Sequence, residues 1–219
     1  MGPDAAELRV LGCLIEKQRT TPDAYPLSLN ALRLACNQST NRDPVVDYDE
    51  ATVREAAQRL SRRGWARLAS RGGRAVKYRH LLDEALGLDV GEISLLAVLM
   101  LRGPQTPGEL KQRAERLHPF ADLGEVHETL ERLIARDLAA DQGRRPGQKE
   151  TRYAHTLADE GDVDAAGPIV AAPAAEEPAA EPDRIARLER ELAELRSEVA
   201  ELRRALDGRL GSETLARDW

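Results

Sequence analysis

Apolar residues return at helical spacing from the start of the chain. Leu8, Leu11 and Ile15 fall on one helical face, and Thr21-Pro22 ends that pattern. Ser28 is placed to cap a short second helix over Leu29–Cys36. Asp47 or Asp49 can cap a third, in which Val53, Ala57 and Leu60 face inward at i, i+4 and i+7 and Gly64 ends the run. "WARLAS" and "AVKYRH" then read as two short strands around the glycine pair of "RGGR". Three helices followed by a hairpin is the order of a winged helix, a relative of the helix-turn-helix.

The same pattern occurs again. "ELRVLGCLIEKQRTTP" at 7–22 aligns without gaps with "EISLLAVLMLRGPQTP" at 92–107, and "VREAAQRLSRRGWARL" at 53–68 aligns with "VHETLERLIARDLAAD" at 126–141. In the second pair Val53, Glu55, Arg59, Leu60 and Arg63 match Val126, Glu128, Arg132, Leu133 and Arg136. "KYRH" at 77–80 answers "RYAH" at 152–155. Three blocks in one order indicate an internal duplication. The second unit lacks the long loop between its second and third helices, and "DQGRRPGQK" reads as its hairpin turn.

Periodicity then disappears. Residues 161–183 hold eight Ala, four Pro and six acids, a composition that reads as a flexible linker. Beyond it Ile185, Leu188, Leu192, Leu195, Val199, Leu202 and Leu206 are spaced 3, 4, 3, 4, 3, 4, a heptad seam. Across a parallel pair of such helices Arg184 stands opposite Glu189, Glu191 opposite Arg196 and Glu198 opposite Arg203, each pair opposite in sign. These seven apolar residues are the expected dimerisation seam of a homodimer; the other reading is a single helix folded back on the body. The expected fold is mainly α with small β-hairpins. It comprises winged-helix domains at 1–82 and 83–160, a linker at 161–183, a coiled-coil helix at 184–210 and a tail at 211–219.

Composition narrows the class. Apolar residues make up 42% of the chain but aromatics only 3%, so the core must be built from Leu, Ala and Val. Met1 is followed by Gly-Pro-Asp rather than a basic and then apolar leader, and the longest apolar run, Ile93–Leu101, is about half a bilayer span. A cytoplasmic protein with reduced thiols at Cys13 and Cys36, and no membrane association, is expected. The net charge of −6 lies entirely in residues 161–219. Residues 53–80 are the reverse, with nine Lys or Arg against the single acid Glu55.

The stretch "LGCLIEKQRTTPDAYPLSLNALRLACNQSTNRDPV" at 11–45 resembles the signature of the YceH-like bacterial proteins, a group of unknown function, and the likeness runs over about residues 5–158. The resemblance implies a tandem winged-helix architecture and carries over no catalytic residue.

Candidate chemistry is sparse. Cys36 has no histidine nearer in sequence than His80 and falls where a helix would bury it. There is no C-x-x-C, and His80, His118, His127 and His155 are scattered, so no metal or other cofactor is expected. No enzymatic constellation stands out. The polar loop after the second helix offers Asn37, Gln38, Asn41, Arg42 and Asp43 as a recognition loop, although Asn and Asp also serve simply to stabilise turns.

Double-stranded DNA is the partner suggested by the fold and the basic segment. Arg54 and Arg62 fall on the outer face of the third helix, and Arg71, Arg74 and Lys77 on the hairpin. In the second unit Arg144, Arg145 and Lys149 form a further basic hairpin. Acids at Asp47, Asp49 and Glu50, and at Glu125, Glu128 and Glu131, oppose close phosphate contact, so such binding should be weak and salt-sensitive. The alternative is a scaffold for protein partners, joined through the winged helices and the coiled coil.

Overall fold

A computed structural model describes residues 2–69, 76–144 and 150–158. The linker and the heptad seam from Ile185 to Leu206 lie outside these residues, as do Arg71, Arg74, Arg145 and Lys149.

The described chain is mostly helical with small antiparallel sheets. Helix α1 (Ala5–Thr20) begins in a capping box: Asp4 accepts from the Glu7 N–H at 2.7 Å, and Glu7 accepts from the Asp4 N–H at 3.2 Å. A single 3-10 turn (Pro22–Ala24) leads to the two-residue strand β1 (Leu27–Ser28). Helix α2 (Leu29–Cys36) starts at Ser28, whose hydroxyl accepts from the Ala31 N–H. Helix α3 (Glu50–Arg62) starts at Asp49, which accepts from the Thr52 N–H at 2.7 Å. Gly64, at φ +76°, turns the chain out of α3, and the Trp65 N–H closes the turn on the Leu60 carbonyl. Strands β2 (Ala66–Ala69) and β3 (Lys77–His80) follow, with β3 at the centre of a sheet ordered β1-β3-β2.

The order then recurs. Helix α4 (Leu82–Leu86) connects to α5 (Val90–Arg102), α6 (Pro107–Ala114) and α7 (Leu123–Ile134), and strands β4 (Ala139–Arg144) and β5 (Thr151–His155) pair behind them. Asp89 and Glu92 repeat the capping box of Asp4 and Glu7. Asp137, at φ +54°, takes the left-handed position that Gly64 takes in the first half.

Three features depart from the sequence reading. Strand β1 pairs only two residues and α4 spans five, both below the length at which periodicity is visible. Strand β4 runs through Asp141–Arg144, which had read as part of the turn. An irregularity between Asp141 and Arg144 allows this: the Asp141 carboxylate accepts from the Gly143 N–H, and Gly143 adopts φ +70°.

One apolar core runs through both halves. Leu11, Leu14 and Ile15 of α1, Leu60 of α3, and Leu95, Leu96 and Leu99 of α5 are fully buried within it. Helices α1 and α5 pack along each other. Gly12 makes the approach possible, because a Cβ there would lie 2.8 Å from Leu101 Cγ.

Candidate nucleic-acid interface and polar loop

The matched charges of the repeat, Glu55 and Glu128 aside, turn out to be partners. Glu7, almost fully buried, accepts from Arg59 Nε at 3.2 Å and Arg63 Nε at 3.1 Å, and Arg59 also reaches Asp4 at 2.6 Å. In the second half Glu92 faces Arg132 at 3.6 Å and Arg136 at 3.4 Å, while Arg132 reaches Asp89 at 3.0 Å. Each half thus ties the start of its first helix to the end of its third. Two of the nine cations in residues 53–80 are consumed in this bracing, and Arg79 meets Glu84 at 3.2 Å.

What remains exposed on α3 is a stripe at i, i+4 and i+8: Arg54, Gln58 and Arg62. Arg54 pairs with Glu50, but both are half exposed, so that contact is screened and weak. Arg62 makes no ion pair with any described residue, nor do Arg67 on β2 and Lys77 on β3, and all three side chains are exposed. Burial pushes the nearby Tyr78 phenol up, opposed by the Arg54 charge. At the equivalent positions of α7 and its C-cap the exposed stripe reads His127, Glu131 and Ala135, with Glu128 beside it as Glu55 stands beside the α3 stripe. The bracing charges match between halves while the outward stripes differ in sign. Arg144 is exposed at the end of β4.

The loop after α2 behaves differently from the expectation of a recognition surface. Arg42 is a correction: its side chain is buried, with both Glu16 oxygens as acceptors at 3.1 and 2.6 Å and the Ala35 carbonyl as a third at 3.1 Å. Gln38 accepts from Arg42 and from Lys17. Asn37 donates to the Tyr48 carbonyl and accepts from the Tyr48 N–H, both at 2.9 Å, closing the loop on itself. Asn41, at φ +59°, accepts from Arg102 of the second half, and the Asp43 N–H donates to the Leu101 carbonyl. The Asp43 side chain is exposed and makes no hydrogen bond or ion pair with a described residue, but its charge acts on Arg102. Sequence reasoning missed Arg9, a buried guanidinium from α1 that donates to the Cys36 and Pro44 carbonyls. An arginine set among apolar residues on a helical face was the available signal.

Both cysteines are free and buried. Contact with Cys13 and burial push the Cys36 thiol far up, which favours the neutral thiol over the thiolate. His80 and His155 end their strands, and burial pushes each down to about 4. Among the described residues no group of three or more His, Cys, Asp or Glu is arranged to hold a metal, and no helix is long and apolar enough to cross a membrane.

A family model described as a protein of unknown function, DUF480, matches residues 4–148. A "UPF0502 protein" of Pelobacter propionicus is 51% identical over 92% of this chain and 93% of its own length. One from Geotalea uraniireducens is 52% identical with the same coverage, and one from Koribacter versatilis is 53% identical over 72% of this chain and 73% of its own. The chain therefore belongs to this family of uncharacterised bacterial proteins, DUF480, to which the UPF0502 proteins are similar.

Proposed function

We propose that this is a non-enzymatic, cytoplasmic protein of tandem winged-helix type, as its YceH-like signature implies, and that its first half makes weak contacts to duplex DNA. The observation that carries the reading is the exposed Arg54–Gln58–Arg62 stripe on α3; Arg67 and Lys77 on the sheet are exposed as well. Its counterpart on α7 is acidic and unsuited to phosphate. The reading extends to Arg71 and Arg74 and, with a lesser contribution, to Arg144, Arg145 and Lys149; of these five only Arg144 lies among the described residues. Contacts of this kind position a protein on the backbone without reading bases. The heptad seam would pair two chains, and two tethered bodies would raise avidity.

The test is anisotropy of a labelled duplex over a salt series. Affinity should fall by roughly 0.9 log units per log unit of salt for each phosphate neutralised. Arg71→Ala with Arg74→Ala should weaken all sequences about equally, and Arg144→Ala with Arg145→Ala should do less. A second reading, a scaffold for protein partners, is favoured by the exposed Leu123 at the head of the acidic α7. An absence of duplex binding at about 50 mM salt, where screening is modest, would leave that reading in its place.

A further inference from the structure

A cleft of about 560 Å³ opens between the two halves, where the last turns of α1, α5 and α6 meet the loop after α2. Sites for small metabolites have volumes of about 300–1,000 Å³. The cleft is lined by Lys17, Arg102, Arg113 and Arg116 against one acid, Glu16, which is already engaged by Arg42 at 2.6 Å. Arg102 donates at 2.8 Å to a neutral partner, the Asn41 amide oxygen. Burial and the neighbouring Arg113 charge push its guanidinium down, against the opposing Asp43 and Glu109 charges. Arg113 meets Glu109 only at 3.5 Å, and Arg116 has no ion pair or hydrogen bond with any described residue.

Cations at helix C-termini have an ordinary explanation, since they offset the dipole. Lys17, Arg102 and Arg113 do lie in the last turns of α1, α5 and α6. Three helix ends supply only about −1.5 charges in total. With the groups that pair with them counted, six cations (Lys17, Arg42, Arg102, Arg113, Arg116 and Arg152) stand against three acids (Glu16, Asp43 and Glu109), and the net +3 leaves an excess of about +1.5 over the helix ends. That matches the charge of a phosphate monoester near neutral pH, about −1.5 to −2. Leu101 and Leu117 add an apolar wall beside the charges.

We propose that this cleft binds a phosphate-bearing small molecule of mononucleotide size, with the phosphate on Arg102, Arg113 and Arg116 and the uncharged part against Leu101 and Leu117. Such a ligand bridges both halves of the protein. The site shares no residue with the α3 stripe and stands independently of DNA binding.

Calorimetric titration of the full chain at about 150 mM salt, where charges are screened beyond about 8 Å, tests this. The probes are the four ribonucleoside 5′-monophosphates, ribose 5-phosphate, pyrophosphate and the unphosphorylated nucleosides. At least one phosphate ester should bind below about 1 mM, and its dephosphorylated form should not. Arg116→Glu and Arg113→Gln, each checked for unchanged helix content, should weaken binding at least about tenfold, the loss of one charge-assisted contact. Arg62→Ala should bind like the parent. The proposal is overturned if no ester binds, if neither variant weakens binding, or if pyrophosphate binds as tightly as the best ester.

Discussion

Replacing Arg42 with Met separates a structural role for the polar loop from a recognition role. The substitution keeps an unbranched apolar stem but removes a guanidinium whose side chain is 0% exposed. It deletes the two bonds to Glu16, at 3.1 and 2.6 Å, and those to the Ala35 and Asn41 carbonyls and to Gln38. Breaking a buried ion pair by removing one partner costs about 3–5 kcal/mol, because the other charge stays buried. Glu16 is 13% exposed and keeps Lys17 at 3.6 Å, so some of that charge is relieved and the lower end applies, about 3 kcal/mol. Arg42→Lys keeps the charge but loses the fork and should cost less, about 1–2 kcal/mol. Glu16→Gln in the Arg42→Met background should recover part of the loss, since the stranded carboxylate is then gone. Urea unfolding of the full chain, read by circular dichroism, gives all four stabilities. An Arg42→Met protein within about 0.5 kcal/mol of the parent, the range of ordinary surface changes, would refute the structural role.

Three further outcomes follow from the same contacts. Glu7→Gln should destabilise more than Glu92→Gln, about 2 against about 1 kcal/mol, because the Glu7 pairs are shorter and their arginines less exposed; equal costs in urea unfolding would contradict this. His80 and His155 are each pushed down to about 4, mainly by burial; for His80 the Arg19 and Arg79 charges add to this and Asp83 opposes it. Below the ordinary value of about 6.5 the unfolded chain therefore takes up protons that the folded chain does not, so stability should fall from pH 7 towards pH 4. With both residues titrating, the slope reaches about 2.7 kcal/mol per pH unit; His80→Gln should halve it, and a flat profile to pH 5 would exclude the effect. Leu195→Asp places a charge in the middle of the heptad seam and should convert a sedimenting dimer into monomer with the helical body still folded, and a full chain already monomeric at tens of micromolar would remove the dimer from the proposal.

Local chemistry made most of the helix starts legible. Ser28 and Asp49 cap the helices they were expected to cap, because an N-cap needs only a side-chain oxygen within its own turn. Long-range pairing was less legible. Glu7, Arg59 and Arg63 were aligned with Glu92, Arg132 and Arg136 as repeat positions, yet their sharing of one ion-pair cluster depends on how the first and third helices cross. The signal was present, since charged residues kept at equivalent places in two copies are candidates for partners. Arg42 had no such signal: a polar loop that faces inward has the same composition as one that faces solvent. Its counterpart Arg9 was hidden for the opposite reason, as a charge set among apolar residues whose acceptors lie 27 and 35 positions away.

The most direct test compares two pairs of substitutions on equivalent helices. Arg54→Ala with Arg62→Ala removes the basic stripe of α3, and His127→Ala with Glu131→Ala alters the matching stripe of α7. All four side chains are exposed, so neither pair should change stability by more than about 0.5 kcal/mol. Anisotropy of a labelled duplex at about 50 mM salt should show weak binding by the full chain. The α3 pair should weaken it about tenfold, with a shallower salt slope, and the α7 pair should leave it unchanged or slightly tighter. Equal losses from both pairs, or no binding by the full chain, would contradict a DNA-contacting first half.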